Sequence, residues 1–165
     1  MDFRHFPVSV VLLVSLFCKI SSGDHRVTNV PKAQCPGAWL FYNSHCYGFA
    51  RDRLSWRDAE LDCQSYGNGT HLASITHSME GILIRDLIKA HPWKENIWLG
   101  LYDSYKNSSW KWVDGVDFQY KAWNLGAASK GEDEHCVLLL ASRGYRFWTN
   151  VSCTRSVQYL CKYKI

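Results

Sequence analysis

Hydrophobic and polar positions divide this chain into an apolar start, two helices and a series of short strands. Val8 to Phe17 is an apolar run broken only by Ser9 and Ser15. It is too short to cross a hydrocarbon core, which takes about 20 apolar residues. Arg4 and His5 precede it and the small residues Ser21-Ser22-Gly23 follow it, so residues 1–23 read as a secretory signal peptide cleaved near Asp24. Residues 24–34 are polar, carry Pro31, and read as a flexible leader.

Trp39-Leu-Phe-Tyr42 lies between turn residues and predicts a short strand. Ser55 and Asp58 make a capping-box-like helix start, with Asp in place of the usual Glu. Trp56, Ala59, Cys63 and Tyr66 then recur at helical spacing, and Gly67 supplies a stop. A second helix is predicted from about Ser78 to Ala90, with Met79, Ile82, Leu83, Leu87 and Ala90 as its apolar face and Pro92 beyond its end. After Glu95 the period changes. Ile97-Trp-Leu-Gly-Leu101 reads as a buried strand, Trp110-Lys-Trp112 alternates, and Asp114-Gly115 is a turn signal. Trp123 to His135 has no periodicity and predicts a long loop, a feature that in compact domains is often functional. Cys136–Leu140, Phe147-Trp148 and Val157–Cys161 predict further strands. This order predicts an α+β domain with an antiparallel sheet.

Composition narrows the class. Apolar residues make up 47% and charged residues 21% of 165, which is globular and excludes a low-complexity chain. A net charge of +4, with both signs interspersed, does not call for nucleic acid. No segment after the signal is long and apolar enough to span a membrane, so a secreted protein is expected. Cys18 leaves with the signal, and Cys35, Cys46, Cys63, Cys136, Cys153 and Cys161 remain for an oxidising compartment. Spacing alone does not choose their pairing. No Cys-x-x-Cys pair is present, which speaks against zinc. Neither His-Glu-x-x-His nor Gly-x-Ser-x-Gly occurs, so no enzyme and no cofactor are expected.

Several motifs in order then resemble the C-type lectin-like domain: Cys35-Pro-Gly-Ala-Trp39, His45-Cys-Tyr47, Trp56 with Ala59-Glu60 and Cys63, His71-Leu-Ala-Ser-Ile75, Trp98-Leu-Gly-Leu101, Trp110-Lys-Trp-Val-Asp-Gly115, Trp148 before Cys153, and Tyr159-Leu-Cys161. Within that superfamily the chain is similar to the regenerating (lithostathine-like) secreted proteins, especially the type IV branch, on Cys63-Gln-Ser-Tyr-Gly-Asn-Gly69, His71-Leu-Ala-Ser74 and the Cys161-Lys-Tyr-Lys ending. The resemblance places the domain at residues 35–163. It implies two helices packed on antiparallel sheets, a long loop, and the disulfides Cys35–Cys46, Cys63–Cys161 and Cys136–Cys153.

The resemblance also raises calcium. Lectins of this superfamily that hold sugar through calcium carry Glu-Pro-Asn or Gln-Pro-Asp in the long loop and Trp-Asn-Asp before the fifth cysteine. This chain has Gly126-Ala127-Ala128 at the first place and Trp148-Thr149-Asn150 at the second, and of the family's ligand positions only Glu134 keeps its type. A hard cation takes six or more oxygens, in round terms about six to eight, so no metal is expected here. The run Glu132-Asp133-Glu134 is read as a solvated loop.

The function expected is calcium-independent binding of a glycan or polysaccharide, in which apolar sugar faces stack on aromatic rings. Candidate residues are Trp93, Tyr102, Tyr105 and Trp123, with Asn124, Lys130 and Glu132 as polar partners. Arg51, Arg53 and Arg57 are a candidate basic face for a polyanion. The resemblance equally implies a growth-factor-like ligand read by a cell-surface receptor. Asn68, Asn107 and Asn150 head N-glycosylation sequons.

Overall fold

The computed structural model describes residues 35–67, 69–92, 95–105, 107–127 and 135–165. Its elements run β1 (Leu40–Tyr42), β2 (His45–Leu54), α1 (Trp56–Ser65), β3 (His71–Leu72), α2 (Ser78–Lys89), β4 (Ile97–Tyr102), β5 (Lys111–Trp112), β6 (Cys136–Leu139), β7 (Trp148–Val151) and β8 (Val157–Lys164). The sheet order is β1-β2-β8-β4-β6-β7, with β3 added to β8 and β5 to β4. All pairs are antiparallel except β4 with β8, which run parallel through Ile97↔Gln158 and Trp98↔Tyr159. That pair joins the terminal hairpin layer to the strands that carry the long loop.

Local chemistry sets the first helix as expected. The Asp58 amide donates to the Ser55 hydroxyl oxygen at 3.2 Å, and that hydroxyl donates to the Asp58 carboxylate at 2.6 Å. Trp56, Ala59, Glu60 and Cys63 face inward. Tyr66 does not: it follows the last helical residue as the cap and is 55% exposed. Gly67 stops the helix with φ +73°, a left-handed conformation that glycine adopts without a Cβ penalty.

The second helix corrects its expected face. Met79 is 54% and Ile82 39% exposed, while Glu80, Ile84 and Ile88 are buried. The inward stripe is thus rotated by about one residue, or roughly 100°. The cause is Glu80, a carboxylate drawn inside by buried partners. A count of apolar positions alone passes over it.

Between Ala50 and Leu54 strand β2 bulges against β8. The extra residues turn Arg51, Asp52 and Arg53 outward, and the Gln158 side-chain amide donates to the Arg51 carbonyl at 3.2 Å beneath them. Gly100 in β4 has the opposite task of close approach. A Cβ there would lie 2.4 Å from the Leu72 carbonyl oxygen, so the Trp-Leu-Gly-Leu run needs its glycine.

Two buried clusters flank β4. One gathers Ile75, Ile84, Ile88, Leu99, Leu101, Trp112 and Trp148; the other gathers Trp56, Ala59, Leu72, Trp98, Leu138 and Tyr159. The disulfides are Cys35–Cys46, Cys63–Cys161 and Cys136–Cys153, with Cα–Cα distances of 5.5, 5.5 and 5.1 Å. The second fastens α1 to β8 inside the core.

Candidate carbohydrate-binding site

The loop after β4 is built on Asp103, whose side chain is turned into the protein. Its residue is 5% exposed, and its carboxylate accepts from the amides of Tyr105 at 3.3 Å and Ser108 at 2.7 Å. The amide of Asp103 donates to the His135 carbonyl at 2.9 Å, which ties this loop to the far end of the long one. The turn presents Tyr105 at 67% exposure, and the Lys111 ammonium sits over its ring, 4.9 Å from the centroid. Lys111 pairs with Tyr102 across the β4–β5 ladder, so the two share a face of that hairpin. Tyr102 is half-buried and packs against Trp56 with ring centroids 5.1 Å apart.

Trp123 stands on the other side. It is half-buried among Trp110, Phe118 and Trp148, at centroid distances of 5.0, 6.2 and 6.0 Å. A backbone bridge holds it there: the Trp148 amide donates to the Ala122 carbonyl at 2.7 Å, and the Asn124 amide donates to the Trp148 carbonyl at 2.8 Å. Tyr102 packs on the Trp56 cluster and Trp123 on the Trp112 cluster. The four described candidates therefore fall into two groups, Tyr102 with Tyr105 and Trp123 with Asn124. Trp93, Lys130 and Glu132 lie outside the described residues, as do Asn68 and the acidic run 132–134.

Alternation explains the division. In Trp110-Lys-Trp112 the two indoles point to one face and Lys111 to the other. Lys111 belongs beside Tyr105 and was absent from the candidate set, although the outward position of an alternating strand is where a ligand-facing lysine is expected. Of the proposed basic face, Arg51, Arg53 and Arg57 are all exposed, but Arg53 is ion-paired with Glu95. Asn107 is exposed, and its side-chain oxygen accepts from the Ser109 amide at 3.1 Å. Asn150 is in the middle of β7, paired with Val137 and 6% exposed. Among the described residues no group of three or more His, Cys, Asp or Glu is placed to hold a metal ion.

Sequence reasoning also missed a buried polar centre between α2 and β8. The Lys162 ammonium donates to Glu80 Oε1 at 2.7 Å, to the Ser74 hydroxyl at 3.0 Å and to the Ser74 carbonyl at 3.2 Å. Tyr47 donates its hydroxyl to the same Glu80 oxygen at 2.5 Å, and Thr76 donates amide and hydroxyl to the other. Burial alone would raise the Glu80 carboxyl, but the Lys162 ammonium and these hydrogen bonds hold it below the ordinary carboxylate range. Burial, reinforced by the bond to Glu80, pushes the Tyr47 phenol upward. Ser74 donates on to Asp114 at 2.5 Å, in the turn after β5. No hydropathy signal marks such residues, because each is polar and all but Thr76 pair across long sequence separations.

A mixed sheet with two helices and three disulfides among the described residues defines a C-type lectin fold. The sequence profile of the lectin C-type domain matches residues 52–163. The chain belongs to the regenerating and lithostathine proteins within that family. It is 37% identical over 143 residues to regenerating islet-derived protein 4 of Rattus norvegicus, covering 87% of this chain and 90% of that one. It is 37% identical over 161 residues to lithostathine-1-alpha of Homo sapiens, covering 94% and 96%. Human lithostathine superposes with a TM-score of 0.76 at 38% identity, over 79% of this chain and all of that one. The carbohydrate-recognition domain of the mouse scavenger receptor C-type lectin gives a TM-score of 0.68 at 30% identity, over 79% and 98%.

Proposed function

We propose that this chain is a secreted protein that binds carbohydrate without calcium. Residues 1–23 serve as its signal peptide, residues 24–34 as a leader, and residues 35–163 as the binding domain. The observation that carries the metal-free part is Asn150. At the place where calcium-dependent relatives of the fold present a carboxylate, this chain has a neutral amide that is 6% exposed in a strand, two residues after a tryptophan that is 1% exposed. Neither side chain supplies charge to a surface cation. The same burial argues against a glycan on Asn150, whereas Asn107 stands on an exposed turn and is the better acceptor.

Family membership supports carbohydrate as the ligand, and so does the likeness to a scavenger-receptor carbohydrate-recognition domain. Tyr105 offers a ring that is 67% exposed with the Lys111 ammonium over one face, the pairing of apolar stacking and polar donor that a pyranose uses. Trp93, Lys130 and Glu132 are proposed to complete that surface. Tyr102 buttresses it through Trp56, and Trp123 and Asn124 anchor the loop.

A glycan array run on the secreted protein, with and without a chelator, tests this reading. Binding that survives the chelator and falls at least tenfold in Tyr105→Ala is expected. Binding lost with the chelator would overturn the calcium-free reading. An array with no bound glycan would leave the receptor-ligand alternative in its place.

A further inference from the structure

On the side of the domain formed by α2 lies a hollow of about 150 Å³. Its apolar and aromatic wall includes Ile75, Leu139, Tyr120 and Trp148, and both Arg85 and Arg146 line it. Three stretches of chain supply its lining: Ile75 with α2, the segment of Tyr120 ahead of the long loop, and β6 to β7 with the turn between them. Tyr120 and Trp148 meet edge to face at 5.6 Å, which fixes the aromatic wall. Gly144 and Tyr145 are both left-handed, with φ of +62° and +61°, and this double reversal delivers Arg146 outward. Arg146 is exposed and has no ion-pair or hydrogen-bond partner among the described residues. Arg85 spends its Nε on Asp86 at 3.2 Å, an acceptor that is itself 60% exposed. Among the described residues, Glu95 is committed to Arg53.

We propose that this hollow is a binding site for one acidic pyranose, a sugar ring bearing a carboxylate or sulfate. The choice of a sugar rests on the carbohydrate reading above; the choice of an acidic one rests on the cavity. Two guanidiniums on one small cavity match an oxyanion, because their planar donors engage it bidentately. The wall of Ile75, Leu139, Tyr120 and Trp148 matches the apolar face of a ring. A hollow of about 150 Å³ suits a single ring rather than an extended chain. The site therefore takes a terminal or side-branch residue of an acidic glycan.

Gly81 gives a way to close the cavity without touching its charge. It lies within α2 and lines the hollow. A Cβ there would meet Ile75 at 3.6 Å and the Tyr120 hydroxyl at 3.9 Å, ordinary contacts that lead into the cavity. Gly81→Leu fills the space, and helix propensity favours the substitution.

Calorimetric titration of the secreted protein in chelator, with methyl glucuronide, glucose 6-sulfate, methyl glucoside and inorganic sulfate, tests the proposal. Expected is binding of the two acidic sugars at least tenfold tighter than of the glucoside or of sulfate. Arg146→Ala and Arg85→Ala should each weaken it tenfold or more, and Gly81→Leu should abolish it while melting no lower than the wild type. Equal affinity for glucoside, equal affinity for bare sulfate, or binding retained in Gly81→Leu would each overturn it. A protein that binds array glycans but neither acidic sugar refutes this site alone, whereas one that binds neither set refutes the carbohydrate reading as well.

Discussion

Lys162 on β8 and Glu80 on α2 form an ion pair of 2.7 Å with side chains only 6% and 3% exposed. Two charges at this depth are costly to desolvate, and the arrangement is stable because nearly every polar atom around them has a partner. Glu80 accepts from Lys162, Tyr47 and Thr76, and Lys162 also reaches Ser74. The pair locks α2 to the sheet, and through Ser74 and Asp114 the network reaches the turn after β5.

Removing one partner strands the other. Lys162→Met should destabilise the protein by about 3–5 kcal/mol, and Glu80→Leu by a similar amount. The double variant should cost clearly less than the sum, since neither charge is then left alone. Denaturant unfolding of the four proteins measures the coupling. Additive losses would mean that the pair contributes no interaction of its own.

Acid should reach the same pair. The folded Glu80 carboxyl is held below its ordinary value of 4.5 by Lys162 and its hydrogen bonds. A depressed folded pKa gives stability that is complete above the unfolded value and lost as pH falls through the folded one. Melting temperature should therefore drop below about pH 4.5 in the wild type. In Glu80→Gln that part of the acid slope should vanish, from a lower starting stability. An unchanged slope would assign acid sensitivity to other carboxylates.

This network marks the boundary of what the sequence makes legible. The helix cap at Ser55, the buried β4 run and the core position of Trp148 are written in local pattern, and all three are found. The face of α2 is not, because Glu80 occupies an inward position that periodicity assigns to apolar side chains. Tyr66 misleads for a related reason: it has the right spacing but falls after the helix has ended. At the candidate site, the residue types are legible and their grouping is not. Tyr105 and Trp123 are both aromatic and both near loops, yet strand alternation at Lys111 and Trp112 sends them to different surfaces. Arg85 and Arg146 share a cavity across 61 positions of chain, a relationship no local motif encodes.

The disulfides should differ in weight. Cys63–Cys161 closes a sequence separation of 98 and Cys35–Cys46 one of 11. In the chain-entropy account the long closure stabilises by about 4–5 kcal/mol and the short one by about 3. Replacing Cys63 and Cys161 by Ala should lower the melting temperature more than replacing Cys35 and Cys46, the more so because the former pair is buried in the core. The reverse order in scanning calorimetry would mean that the terminal hairpin, not the α1–β8 link, limits stability.

Trp148 sits where three structural duties meet. It is 1% exposed, its ring contacts Trp112, Tyr120 and Trp123 at 5.5, 5.6 and 6.0 Å, and its backbone clamps the loop at Ala122 and Asn124. Trp148→Ala should cost about 3–5 kcal/mol. Trp148→Phe keeps much of the volume and should cost less while preserving the backbone clamp. A melting temperature unchanged in Trp148→Ala would contradict its place in the core.

Calcium offers the sharpest magnitude. A site of about 10⁻⁴ M affinity, typical of weak extracellular modules, would be saturated about a hundredfold at 10 mM and would stabilise the fold by about 2.7 kcal/mol. For a domain of this size such a gain shifts the melting temperature by several degrees, about 5–10 °C. With Gly126 and Ala127 in the loop and the amide of Asn150 buried in β7, no such shift is expected between chelator and millimolar calcium. Thermal melts in both conditions read this directly. A rise of that size, abolished in Glu134→Ala, would place a cation on the acidic run 132–134 and return the protein to the calcium-dependent lectins. A rise that survives Glu134→Ala would put the cation elsewhere and would equally end the metal-free reading.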